Sequence, residues 1–303
     1  MNIVLRLISI LFISLLPTAS MAVELRVIAS IKPVHSLVSG VMAGVGAPEL
    51  LVGGMASEHG YALRPSQAQS LENADLVFWV GPQLETFLIR PLAGRTPEVD
   101  QIALSGSPGV GLLALRDVEL LAPLPPTGRG QAWDMHIWLD PDNADAMIRE
   151  IAMRLEARDP EHANVYAKNA AAMEVRLAAS RNLIRQRLAA AAMPPYIVYH
   201  DAYQYFEKRF GLLPAAIISL DPERQPGAGR VRALRNLVLD AKVACVFAEP
   251  QFEPQLIHTL TEGAQVRIAT LDPLGSELAP GADLYFLLLD QIANAMTQCA
   301  PNK

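Results

Sequence analysis

The sequence predicts an α/β protein of two βα-repeat lobes with parallel sheets, joined by one long rigid helix, with a cleft between the lobes. Three observations lead there. Short apolar runs alternate with helical patterns from Leu25 to Arg158. A stretch from Glu161 to Ala192, rich in alanine, leucine, arginine and glutamate, contains no helix breaker. The alternation then resumes from Tyr196 to the C-terminal end. Alternating strands and helices imply βαβ units around parallel sheets. A helix of about thirty residues, at about 1.5 Å each, reaches roughly 50 Å and is too long for one crossover.

The first element is a targeting segment. Met1 to Arg6 gives a short positive start, Leu7 to Leu16 is apolar, Pro17 breaks the run, and Ser20 and Ala22 put small residues before a cut. That pattern is expected to be a secretory signal peptide over residues 1–22, cleaved after Ala22 and too short to span a bilayer. No cysteine lies beside the cut, so no lipid anchor is expected, and the expected destination is a bacterial periplasm.

Residues 23–158 are expected to form the N-terminal lobe. Strands are read at Leu25–Ile28, Leu50–Val52, Asp75–Gly81 and Gln101–Leu104. Helices are read at Pro33–Met42, from Pro65 onward with proline in the first turn, and at Asp142–Arg158. Pro108 to Gly130, with Pro-Leu-Pro-Pro at 123–126, reads as a surface loop. Residues 159–192 are the connecting helix, opened by Asp159 as N-cap, Pro160 and Glu161, and stopped by Pro194-Pro195. Residues 193–303 are the C-terminal lobe. Its strands are Tyr196–Tyr199, Ala215–Ser219, Val243–Ala248 and Val266–Leu271; its helices are Ala202–Phe210, Arg230–Ala241 and Asp283–Gln298.

Composition excludes several functions. The formal charge is −6, from 25 basic and 31 acidic residues without a basic cluster, which argues against nucleic acid or an anionic membrane as partner. After the leader no apolar run reaches membrane-spanning length. The two cysteines, Cys245 and Cys299, suit one disulfide in an oxidising compartment, the alternative being two separate buried thiols.

The chemistry lies in the histidines. His162 and His258 sit on helical patterns among polar neighbours and read as surface residues, and His35, inside the first helix, reads as structural. His59, His136 and His200 each lie at or near a strand-to-helix junction, where open α/β sheets bind ligands. Three neutral imidazoles suit Zn²⁺, which prefers four N, S or O ligands. A fourth position falls to Glu58, Asp272 or water, and Asp201 is a candidate to support a ligand from behind. Three histidines and an open position also describe a hydrolytic zinc site. Against an enzyme, the sequence has no His-Glu-x-x-His, no Gly-x-Ser-x-Gly and no nucleotide-binding glycine pattern. A third class is an adhesin that uses the metal for structure.

Several segments carry a resemblance. Glu58-His-Gly-Tyr-Ala-Leu-Arg-Pro-Ser66, Asn73-Ala-Asp-Leu-Val-Phe-Trp-Val-Gly-Pro82, Asp134-Met-His-Ile-Trp-Leu-Asp140, His200-Asp-Ala-Tyr-Gln-Tyr-Phe-Glu-Lys208, Cys245-Val-Phe-Ala-Glu-Pro-Gln251 and Thr270-Leu-Asp-Pro-Leu-Gly275 together resemble the periplasmic zinc-binding proteins of high-affinity zinc ABC importers, the ZnuA type. The resemblance covers essentially the whole chain after the leader. It implies two lobes on a long helix, Zn²⁺ between them as cargo, His59, His136 and His200 as its ligands, a Cys245–Cys299 disulfide, a monomer, and a cognate ABC permease as partner. It implies no enzymatic activity. One departure stands out: many members carry a loop rich in His, Asp and Glu before the second ligand, whereas Asp117 to Trp133 has no histidine and only Asp117 and Glu119 as acids.

Overall fold

A computed structural model describes residues 25–94, 100–116, 132–219, 222, 225–240 and 242–300. The expected signal peptide and most of the histidine-poor 117–133 segment lie outside the described residues.

The first sheet has four parallel strands in the order β2-β1-β3-β4, with β1 at Val27–Ile31, β2 at Glu49–Val52, β3 at Leu76–Trp79 and β4 at Asp100–Ala103. Every residue of β1 and β3 is buried, as expected of central parallel strands covered on both faces. Helices α1 (Lys32–Val41), α2 (Pro65–Asn73) and α3 (Thr86–Ala93) follow β1, β2 and β3. The sequence reading missed α3, whose N-cap has no side-chain hydrogen bond and whose interior holds Pro91, so neither start nor body carries a helix signal. Gly81, just after β3, has φ of 148° and donates its N–H to Glu85 at 2.9 Å. A Cβ there would sit 2.6 Å from the Ser105 hydroxyl, so this turn requires glycine.

Two short strands, β5 (Leu113–Ala114) and β6 (Trp133–Asp134), pair antiparallel. Part of the expected surface loop is therefore a ribbon stem. A 3₁₀ turn at Ile137–Leu139 leads into α4 (Pro141–Arg158), capped by the Asp140 carboxylate.

The connecting helix differs in detail from expectation. Pro160–His162 is a 3₁₀ turn, and α5 proper runs 28 residues from Ala163 to Ala190, about 42 Å at 1.5 Å per residue. Asp159 does not cap it by side chain; its carboxylate accepts from His162 and Tyr166, each at 2.8 Å. The helix ends ahead of Ala192, which has φ of +45°. Buried Tyr166, Ala170, Met173, Leu177, Ile184 and Leu188 mark one face at helical spacing, packed on α1, α4 and α9.

The second sheet repeats the architecture with parallel strands in the order β10-β9-β7-β8: β7 at Tyr196–His200, β8 at Ala216–Ser219, β9 at Cys245–Ala248 and β10 at Arg267–Thr270. Helices α6 (Gln204–Phe210), α7 (Ala228–Leu239), α8 (Gln255–Thr261) and α9 (Leu284–Gln298) complete it. Cys245 and Cys299 form a disulfide with Cα atoms 5.7 Å apart, tying β9 to the end of α9. One apolar core runs continuously from the first sheet through α5 to the near face of the second, and a smaller cluster fills the far face. Among the described residues no helix is long and apolar enough to cross a membrane.

Candidate metal centre

Each of the three singled-out histidines reaches the interlobe cleft from a different element. His59 lies in the loop between β2 and α2, His136 immediately before the Ile137–Leu139 turn, and His200 is the last residue of β7. Their candidate ligand atoms all lie within 4.8 Å of one another. The Nε2 atoms of His136 and His200 are 3.3 Å apart, and the three ring centroids are separated by 5.1 to 5.6 Å.

Two of the rings are fixed from behind. The Asp134 carboxylate lies 2.8 Å from His136 Nδ1 and also accepts the His136 backbone N–H at 3.0 Å. The Glu249 carboxylate lies 2.8 Å from His200 Nδ1. A proton held on Nδ1 by a carboxylate leaves Nε2 as a lone pair aimed into the cleft, the arrangement that orients imidazole ligands and raises their basicity. His59 is the more exposed of the three, its side chain 24% accessible against 7% and 4% for the others, so it stands at the mouth. Trp138 packs against the His136 ring and Phe252 edge-on to His200.

Glu58 closes the group. Its Oε1 is 3.8 Å from His59 Nε2 and 3.9 Å from His136 Nε2, and among the described residues neither this oxygen nor His59 Nε2 has a protein hydrogen-bond partner. Orphaned buried polar atoms facing one another are costly, and a cation between them would satisfy both.

Electrostatics fit a site that exchanges protons for a cation. Burial, with His136 and His200 adding to it, pushes His59 down to about 2. Burial also acts downward on His136, but Asp134, Glu58 and Asp201 outweigh it and raise His136 above the ordinary imidazole value. Burial raises Glu58 and Glu249.

The other sequence candidates fall elsewhere. Asp272 turns inward to its own loop: its carboxylate accepts from the backbone N–H of Leu274, Gly275 and Ser276 at 3.0, 3.1 and 2.5 Å, from the Ser276 hydroxyl, and from Gln251. Asp201 faces Arg116 Nη2 at 3.1 Å, and its charge helps to raise His136. Sequence reasoning missed Asp134 and Glu249 as the carboxylates behind the rings, although both stand in the motifs quoted above. His35 is buried against the Pro48 carbonyl, His162 pairs with Asp159, and His258 is exposed on α8.

Three imidazoles and a carboxylate oxygen form a donor set that suits four-coordinate zinc. Both cysteines are in the disulfide, so thiolate plays no part.

Comparison with known proteins gives a consistent picture. The family model described as "ZnuA: Zinc-uptake complex component A periplasmic" matches residues 27–299. The chain is 39% identical to the high-affinity zinc uptake system protein ZnuA of Brucella abortus (strain 2308), covering 91% of each. It is 37% identical to the protein of the same name from Yersinia pestis, covering 90% of each. In fold it is similar to FpvC of Pseudomonas aeruginosa, solved in complex with Mn²⁺, at a TM-score of 0.78 and 22% identity over 91% of this chain and 98% of that one.

Proposed function

The chain belongs to the family of periplasmic zinc-uptake components, and on that premise we propose that His59, His136 and His200 hold the zinc ion. The protein is the zinc-binding component of an ABC importer, a transport component rather than an enzyme. It captures Zn²⁺ and passes it to a membrane permease. Zinc is its cargo.

The carrying observation is the cluster of three imidazoles from three separate elements, two with Nδ1 on a buried carboxylate. Glu58 is the fourth ligand in this reading, because its oxygen faces two Nε2 atoms while the Asp272 oxygens are engaged by their own loop. The lobes divide at 23–158 and 193–303, with 159–192 between them. The working form is a monomer released by cleavage after Ala22, and the permease it meets is its cognate one.

A chelator-competition titration of residues 23–303 tests the ligand set. The expected result is one tightly bound zinc per chain, lost in the His59→Ala, His136→Ala, His200→Ala triple variant. Undiminished affinity in that variant would overturn the assignment.

A further inference from the structure

Lys32, the first residue of α1, is 5% exposed. Its ammonium donates to three backbone carbonyls of the opposite lobe: Gly275 at 3.0 Å, Ser276 at 2.6 Å and Leu278 at 2.8 Å. An ammonium has three donors and no acceptor, so these three carbonyls saturate it. Among the described residues no carboxylate forms an ion pair with Lys32, although the Asp272 charge opposes the downward pull of burial on it. A buried cation without a paired anion is an expensive arrangement, and its location suggests what it does.

The loop that Lys32 grips leads to the metal cleft. The same 272–278 segment is organised from within by Asp272, which also accepts from Gln251 Nε2 at 2.8 Å. Gln251 is two residues from Glu249, whose carboxylate holds His200 Nδ1. On its other side the segment accepts from Trp138 through the Pro273 carbonyl at 2.8 Å, and the Trp138 ring lies against His136. The loop thus reaches Trp138, which packs on His136, and Gln251, two residues from the Glu249 that holds His200, and Lys32 fastens it to the end of β1.

We propose that Lys32 is a positioning residue for zinc: by capping the carbonyls of Gly275, Ser276 and Leu278 it pins the second lobe's loop to the first lobe and fixes the spacing of His200 from His59 and His136. This rests on the three-histidine reading. A fixed spacing slows release more than it speeds capture, because changes within one binding site act mainly on dissociation.

Stopped-flow displacement of zinc from the full chain by a chelator tests it. Lys32→Met is expected to raise the dissociation rate by about tenfold or more while the association rate changes by less than about threefold. In Lys32→Ala, methylammonium at high concentration should slow release again, whereas tetramethylammonium, which has no N–H donor, should not. Gln251→Leu cuts the same connection beyond Lys32 and should also speed release, which keeps the test decisive if the Lys32 variants fold poorly. A wild-type release rate in both Lys32→Met and Gln251→Leu, alongside loss of binding in His136→Ala, overturns this role for Lys32 alone. Retained binding in His136→Ala overturns the ligand assignment beneath it.

Discussion

Glu249 grips His200 from 49 residues away in the sequence, its carboxylate 2.8 Å from the ring Nδ1 and 3.3 Å from the His200 backbone nitrogen. The contact exists because β9 lies beside β7 in the second sheet, so the residue just after β9 comes level with the last residue of β7. Asp134 does the same for His136 from two residues away. Removing either carboxylate, as Glu249→Ala or Asp134→Ala, frees a ring without deleting a ligand. Zinc affinity is expected to fall by about 10- to 100-fold in each case. Chelator competition reads this directly, and unchanged affinity in both variants would show that the carboxylates do not orient the rings.

Zinc affinity should weaken as pH falls. His59 is pushed down to about 2, so it presents a free lone pair throughout and contributes no proton competition. His136 is raised above the ordinary value, so it takes up a proton early on acidification, and that proton competes with the metal. The expected result is a steady loss of apparent affinity from about pH 7.5 to about pH 5. A flat profile across that interval would contradict imidazole ligation.

How much of this was legible in the sequence follows from the range of each interaction. The apolar alternation and the breaker-free stretch after Glu161 are local signals, and they located both sheets and α5. The three histidines were legible as residues at or near strand-to-helix junctions. Glu249 was not, because only strand order brings it to His200. Asp272 stood beside Glu58 and water as an alternative fourth ligand; its loop curls round it and supplies three N–H groups, a local fold the sequence does not display. Asp201 stood as a candidate to support a ligand from behind; its carboxylate faces Arg116, brought across from the first lobe, while its charge also reaches His136.

Glu85 should make stability depend on pH in the opposite sense from an ion-paired carboxylate. Burial raises it to about 7 from a reference of 4.5. A raised folded-state value stabilises fully below the unfolded value and loses that contribution as pH rises through about 7. Glu85→Gln, which can keep the acceptor for Gly81, should therefore be more stable to denaturant-induced unfolding at about pH 8, by about 3 kcal/mol, with most of that gain gone at about pH 5. An equal gain at both pH values would mean that Glu85 is not protonated in the folded protein.

The Cys245–Cys299 bridge closes a separation of 54 residues, for which the chain-entropy model gives about 4 kcal/mol. Reduction should lower stability by that order while leaving the ligand set in place. Thiol titration of the oxidised chain in denaturant should find no free thiol. Two free thiols would contradict the bridge.

The most direct test of the central claim is zinc K-edge X-ray absorption on the chain loaded with one equivalent of zinc. The expected spectrum shows four light-atom ligands, with multiple scattering from three imidazoles at about 2.0 to 2.1 Å and one oxygen at a similar distance. A sulfur shell near about 2.3 Å, or a shell of oxygens with no imidazole scattering, would contradict the claim that His59, His136 and His200 carry the metal.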